Sequence, residues 1–154
     1  MKNKKNLASS FTVVIVFLLV VFSLTWRGSQ IHRPANINIV QVGNTQIMVD
    51  LAITPEQQEQ GLSGRISLKE DEGMLFIFEK PATYVFWMKD MNFPIDMIWL
   101  GEDLRVVYIK RDARPELYPE AYSPERDAKY VLEVVSGFSD KNNIKEGDRV
   151  EFTY

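Results

Sequence analysis

Phe86-Trp87-Met88-Lys89-Asp90-Met91-Asn92-Phe93-Pro94-Ile95-Asp96-Met97-Ile98-Trp99-Leu100 puts two Trp, two Phe and three Met beside Lys89, Asp90 and Asp96. Aromatic and β-branched residues favour strands, while Asn92 and Pro94 interrupt the run. It reads as strand, tight connection, strand. Lys89, Asp90 and Asp96 lie within the most apolar part of the chain beyond its leader, and charged groups in such a setting need partners. A functional site is therefore expected here.

Outward from this stretch the strand signals continue. Met74 to Phe78 reads as a buried strand, Lys80-Pro81-Ala82 as a turn, and Thr83 to Met88 as the next strand. Downstream, Gly101-Glu102-Asp103 turns Ile95–Leu100 into a strand from Leu104 to Lys110. Near the start, Ile37–Val42 alternates apolar and polar residues, Gly43-Asn44 suits a two-residue hairpin turn, and Gln46–Ile53 returns as its partner. Thr54-Pro55-Glu56-Gln57 carries a capping box with proline at the first helical position, so a short helix starts there and stops at Gly61. Arg111 to Asp127 holds Pro115, Pro119 and Pro124 and reads as a long loop. Lys129–Val135 is a further strand, Ser136–Ile144 has room for a single helical turn, and Arg149–Tyr154 is the last strand. Short strands, one small helix and no βαβ rhythm point to a mainly β domain, a compact antiparallel sandwich or partly closed barrel.

The front of the chain is different. Lys2, Lys4 and Lys5 precede an uncharged run from Asn6 to Trp26. At about 1.5 Å per residue, roughly 20 helical residues cross the hydrocarbon core, and residues 7–26 suffice. Ser23-Leu24-Thr25 is a poor signal-peptidase site, which favours an uncleaved signal-anchor over a secreted, cleaved product. The three lysines place the N-terminus in the cytoplasm and the remainder outside. The expected organisation is a cytoplasmic tip, transmembrane helix and linker over residues 1–33, then an extracytoplasmic domain over residues 34–154, with the lipid bilayer as a partner through residues 7–26.

Composition excludes several chemistries. There is no cysteine, so disulfides and thiol catalysis are absent, and the single histidine, His32, lies in the linker. No histidine-based triad or multi-histidine metal site can form within the domain. From Pro34 onward 13 basic residues face 21 acidic ones, a balance of −8. Such a domain is a poor partner for nucleic acid. Phosphate-loop and dinucleotide glycine motifs are missing, and no cofactor is implied.

Five short motifs occur in order: Gly61-Leu62-Ser63-Gly64-Arg65, Gly73-Met74-Leu75-Phe76, Phe86-Trp87-Met88-Lys89 with Pro94-Ile95-Asp96, Tyr130-Val131-Leu132-Glu133 with Gly137, and Gly147-Asp148. In these the chain resembles the domain-of-unknown-function 192 family of bacterial and archaeal proteins, from about Ile37 to the C-terminus. It departs at Ser63, where the family commonly has Met, and at Asp90-Met91, where it commonly has Asn-Thr. The resemblance implies a compact β-rich barrel or sandwich with a small helix, often exported or membrane-anchored, and implies no activity.

Arg65, Lys89, Asp96 and Glu133 are each charged residues embedded in apolar sequence. If they converge, two cations and two carboxylates share a pocket beside Trp87, which would serve as a stacking wall for a small ligand or an envelope glycan. The competing reading is a set of ion pairs that braces the fold of a structural or protein-interaction module. A third is a hydrolase, with Asp96 and Glu133 as its carboxylates. Whether the chain is an enzyme is left open by its residues.

Overall fold

The computed structural model describes residues 37–153. The leader and its expected span at residues 7–26 lie outside the described residues. The first hairpin pairs β1 (Ile39–Val42) with β2 (Thr45–Ala52), closing on Val42 opposite Thr45 around Gly43, whose φ is +57°. A positive φ is what the first central position of such a turn needs. Helix α1 (Pro55–Gln60) follows. Its capping box forms as the sequence predicts, Thr54 Oγ1 accepting from Gln57 N and the Gln57 side chain accepting from Thr54 N. Then come β3 (Glu72–Ala82), β4 (Phe86–Trp87), β5 (Ile95–Leu100), β6 (Val106–Ala113), β7 (Ala121–Tyr122), β8 (Ala128–Val135), the four-residue helix α2 (Phe138–Lys141) and β9 (Val150–Thr153).

Seven strands form one sheet in the order β6-β5-β8-β3-β2-β1-β9, and β4 and β7 form a separate two-stranded ribbon. The large sheet curls into a half-barrel. Its two edges approach each other where Val106 N donates to Asp148 O and Val150 N to Leu104 O, and Arg105 bridges Arg149. Most pairs are antiparallel, as expected. The exception is β2 with β3, which run parallel with Asp50 opposite Met74. The expectation of no βαβ unit is thus corrected. A parallel pair needs a crossover of a dozen or more residues. Here α1 and the glycine-bearing loop after it supply that crossover.

Two further boundaries differ from the sequence reading. Strand β3 continues through Lys80-Pro81 to Ala82, leaving β4 only two residues long. Part of the long Arg111–Asp127 segment is ordered as β7, which pairs with β4 through Phe86 opposite Tyr122 and Trp87 opposite Ala121. It therefore covers the sheet instead of looping through solvent.

Strand parity divides the core. One face carries Val40, Ile47, Leu75, Ile98, Leu132, Val134 and Val150, joined by Phe138 and Ile144. Residues from both edge regions meet in this cluster, so it fills the inside of the curl. The other face carries Met74, Phe76, Met97, Trp99 and Val131, covered by Leu62, Met88 and Tyr122. All six residues of β5 are buried because both its faces are covered. That is why it reads as a continuous apolar run and not as an alternating one.

Candidate functional site

The five candidate residues do not share one pocket. The register sets Asp96 opposite Val134 and Met97 opposite Glu133. Neighbouring residues of a strand point to opposite faces. Asp96 therefore lies on the inner face and Glu133 on the outer one, with the sheet between them. Asp96 and Glu133 therefore do not face each other across a cleft, and this pair lacks the geometry that a two-carboxylate hydrolase requires.

Asp96 is fully buried and fully occupied. Its Oδ1 accepts from Asp112 N at 2.9 Å and Gly137 N at 3.3 Å, and its Oδ2 from Ser139 N at 2.8 Å. Asp112 itself has a φ of +49° and takes a hydrogen bond from Ser136 Oγ. The Asp96 carboxylate thus ties an irregular part of β6 to the turn that opens α2. Its role is structural.

Arg65 follows the Gly61–Gly64 turn but reaches sideways to Asp50, Nη2 to Oδ2 at 2.7 Å. Lys89 is exposed and forms no ion pair among the described residues. Its backbone carbonyl accepts from Ser63 Oγ at 2.8 Å, which fastens the connection after β4 to the loop after α1. Gly64 N to Asp90 O and Asn92 Nδ2 to Arg65 O complete that clasp.

Glu133 and Trp87 do come together. They line a cleft of about 300 Å³ between α1 with its following loop, strand β3 and the chain from Tyr84 to Met91. Phe76, Phe78, Tyr84, Phe86 and Trp87 form its aromatic walls, and Gln58, Glu59, Gln60 and Ser63 its polar rim. The walls are held from behind. The Phe78 and Tyr84 rings stack at 3.5 Å, Phe86 packs edge-on to Phe76 at 4.8 Å and to Trp99 at 5.6 Å, and Trp99 Nε1 donates to Tyr84 O at 3.0 Å. Trp87 alone of these rings stands free, with half its surface exposed.

The shape of the cleft follows from two local features. Strand β3 leaves its ladder with β8 between Ile77 and Ala82, and Gln58 Nε2 caps the freed Ile77 carbonyl at 2.9 Å. Helix α1 then ends at Gly61, with φ +49°. A Cβ there would lie 3.3 Å from the Phe76 ring and 3.9 Å from Glu133 Oε2. The chain passes over Glu133 this closely because the residue is glycine.

Glu133 is 5% exposed, and its Oε2 is buried with no hydrogen-bond partner. Burial pushes its carboxyl up to about 8, with the Arg65 charge pulling weakly the other way. It is a neutral acid at pH 7. Burying an unpaired carboxylate would cost far more than keeping the proton. The Tyr84 hydroxyl is also pushed up, chiefly by burial, and donates to Lys80 O at 2.6 Å. Among the described residues no Lys or Arg lines the cleft, and no cluster of acidic or histidine side chains could hold a metal ion.

The sequence reading missed Gln58 and Tyr84. The capping-box helix gave a signal for Gln58, whose place in the first turns of a six-residue helix puts it near the crossover.

Residues 38–152 match the DUF192 family, described as an uncharacterized ACR. The chain belongs to the DUF192 family. Two solved structures accompany this match. One, from Novosphingobium aromaticivorans DSM 12444, is a protein of unknown function. It is 32% identical, with a TM-score of 0.70, over 78% of this chain and 89% of that one. The other, from Sinorhizobium meliloti 1021, is provisionally labelled a transcription regulator. It is 30% identical, with a TM-score of 0.69, over 74% of this chain and 90% of that one. No curated protein matches the chain. In this DUF192 domain Gly61 to Ser63, Phe86-Trp87 and Glu133 meet at the aromatic cleft, whereas Asp96 belongs to the opposite side of the sheet.

Proposed function

We propose that this DUF192 domain is a ligand-binding module that takes a small molecule, or a segment of envelope glycan, into the aromatic cleft. The observation that carries the reading is the Glu133 carboxyl. It is buried and has an unpartnered oxygen at the base of a cleft with a half-exposed Trp at its rim. A buried polar atom without a partner is costly to the fold, by about 1–3 kcal/mol, and an incoming group that pairs with it recovers part of that cost. Apolar walls with a few convergent polar groups are the usual make-up of a small-molecule site. Exposed indole faces suit the apolar face of a sugar ring. The acidic balance of the domain argues against DNA as the partner.

The reading also places the domain outside the cytoplasm, held by residues 7–26, on the lysine-flanked apolar run that precedes it. Protease shaving of intact spheroplasts checks this: the domain is expected to be degraded, and its protection would overturn the placement.

The binding test is an NMR titration of the full chain in nonionic-detergent micelles with triacetylchitotriose and cellotriose. Shifts confined to residues 58–63 and 84–91 and to Glu133 are expected, weakened at least tenfold by Trp87→Ala. Trp87 is half exposed, so this substitution is expected to change stability by less than about 1 kcal/mol. Shifts scattered over the surface, and insensitive to Trp87, would contradict the assignment.

A further inference from the structure

The cleft carries a more specific message about its occupant. Its lining includes two acidic side chains, Glu59 and Glu133, five aromatic rings and, among the described residues, no basic group. Arg65, the nearest cation to influence Glu133, is engaged with Asp50 and lines a different depression. With Glu59 at the rim and no cation beside it, the opening favours a positive group over carboxylates and phosphates. Aromatic faces attract cations through the ring quadrupole, more strongly once water is displaced. A carboxylate at the far end supplies an acceptor.

Resting on the ligand-binding reading above, we propose that the cleft recognises a primary alkylammonium group, seated against the aromatic walls with one N–H donated to Glu133 Oε2. A primary ammonium fits better than a quaternary one, because the unpartnered buried oxygen needs a hydrogen-bond donor. Entry of the cation costs Glu133 its proton, which leaves to solvent as the ion pair forms. Binding and deprotonation of Glu133 are thus linked.

The other titratable groups that line the cleft with Glu133 are Glu59 on α1 and Tyr84 ahead of β4. Arg65 lowers the Glu133 value and burial dominates it. With the free acid titrating at about 8, about 1% of Glu133 is ionised at pH 6 and about 90% at pH 9. A primary alkylammonium keeps its charge over most of this range. Its apparent affinity is therefore expected to rise roughly fiftyfold or more from pH 6 to pH 9, the fraction of competent protein setting the scale.

The experiment is NMR titration of the full chain in nonionic-detergent micelles with n-butylammonium, n-butanol and butyrate at pH 6, 7.5 and 9. The expected result is binding of n-butylammonium at the cleft, strengthening with pH, with n-butanol weaker by at least tenfold at pH 9 and butyrate excluded. Glu133→Gln is expected to remove the pH dependence and the preference over butanol. Equal binding of butanol and butylammonium, or a flat pH profile in the unmodified protein, overturns the cation assignment and leaves the ligand-binding reading standing. Silence of the cleft towards all three probes, together with silence towards both oligosaccharides, overturns both.

Discussion

Replacing Glu133 by Gln is expected to stabilise the protein, and increasingly so as pH rises. The folded carboxyl titrates at about 8 against an ordinary value of 4.5. Below 4.5 both folded and unfolded chains hold the proton, and the group has no pH-dependent cost. Between 4.5 and 8 the unfolded chain releases a proton that the folded chain keeps. Stability then falls as pH rises, by about 1.4 kcal/mol per pH unit, and levels off above 8. The loss is about 3 kcal/mol at pH 7 and about 5 kcal/mol above pH 8. Glutamine has nearly the same shape and does not titrate, so the variant lacks this loss. The assay is urea unfolding of the full chain in nonionic-detergent micelles, wild type beside Glu133→Gln, at pH 5, 7 and 8.5. Comparing the two at each pH cancels every other titrating group. The gap between them is expected to widen by about 4 kcal/mol from pH 5 to pH 8.5, or about 2 to 3 M in urea midpoint for a domain of this size. A gap that stays constant over that range would refute the reasoning, since it would mean that Glu133 ionises normally in the folded state.

Three other substitutions separate the parts of the structure. Asp96→Ala removes the acceptor of three backbone N–H groups in a buried setting. It is expected to cost about 3 kcal/mol or more in urea or thermal unfolding, and to leave the cleft resonances in place. Gly73→Ala sets a Cβ only 2.8 Å from the Glu133 carbonyl oxygen. A loss of about 1–3 kcal/mol is expected in the same assay, because backbone and not a flexible side chain must yield. Lys89→Met changes an exposed, unpaired charge, so unfolding should move by no more than about 0.5 kcal/mol and cleft binding should persist.

Much of the fold was legible in the sequence because it rests on local chemistry. The hairpin at Gly43-Asn44 and the capping box at Thr54 and Gln57 depend on neighbours a few residues apart, and both formed as read. The burial of β5 was visible in its unbroken apolar run. The parallel β2–β3 pair was not, since a six-residue helix followed by an irregular loop gives a weak crossover signal. The candidate site was legible in part for a similar reason. Glu133 and Trp87 were marked by charge within apolar sequence and by a dense aromatic block. Asp96 carried the same mark, yet which face it occupies depends on the long-range register between β5 and β8. A shift of one residue in that register would bring Asp96 onto the same face as Glu133. Arg65 was drawn into the site by its glycine-rich turn, but its partner, Asp50, lies on a strand read only as half of a hairpin. Tyr84 escaped notice because its importance comes from stacking on Phe78 and from the departure of β3 from its ladder after Ile77.

Glu133 stands uncharged and unpartnered at the base of the cleft, and the most direct measurement of that state is the pH titration of its side-chain carboxyl carbon by NMR. A midpoint near 8, moving downward when n-butylammonium is present, is the predicted result. A midpoint near 4.5 would show a carboxylate already charged and satisfied within the fold, and would contradict the account.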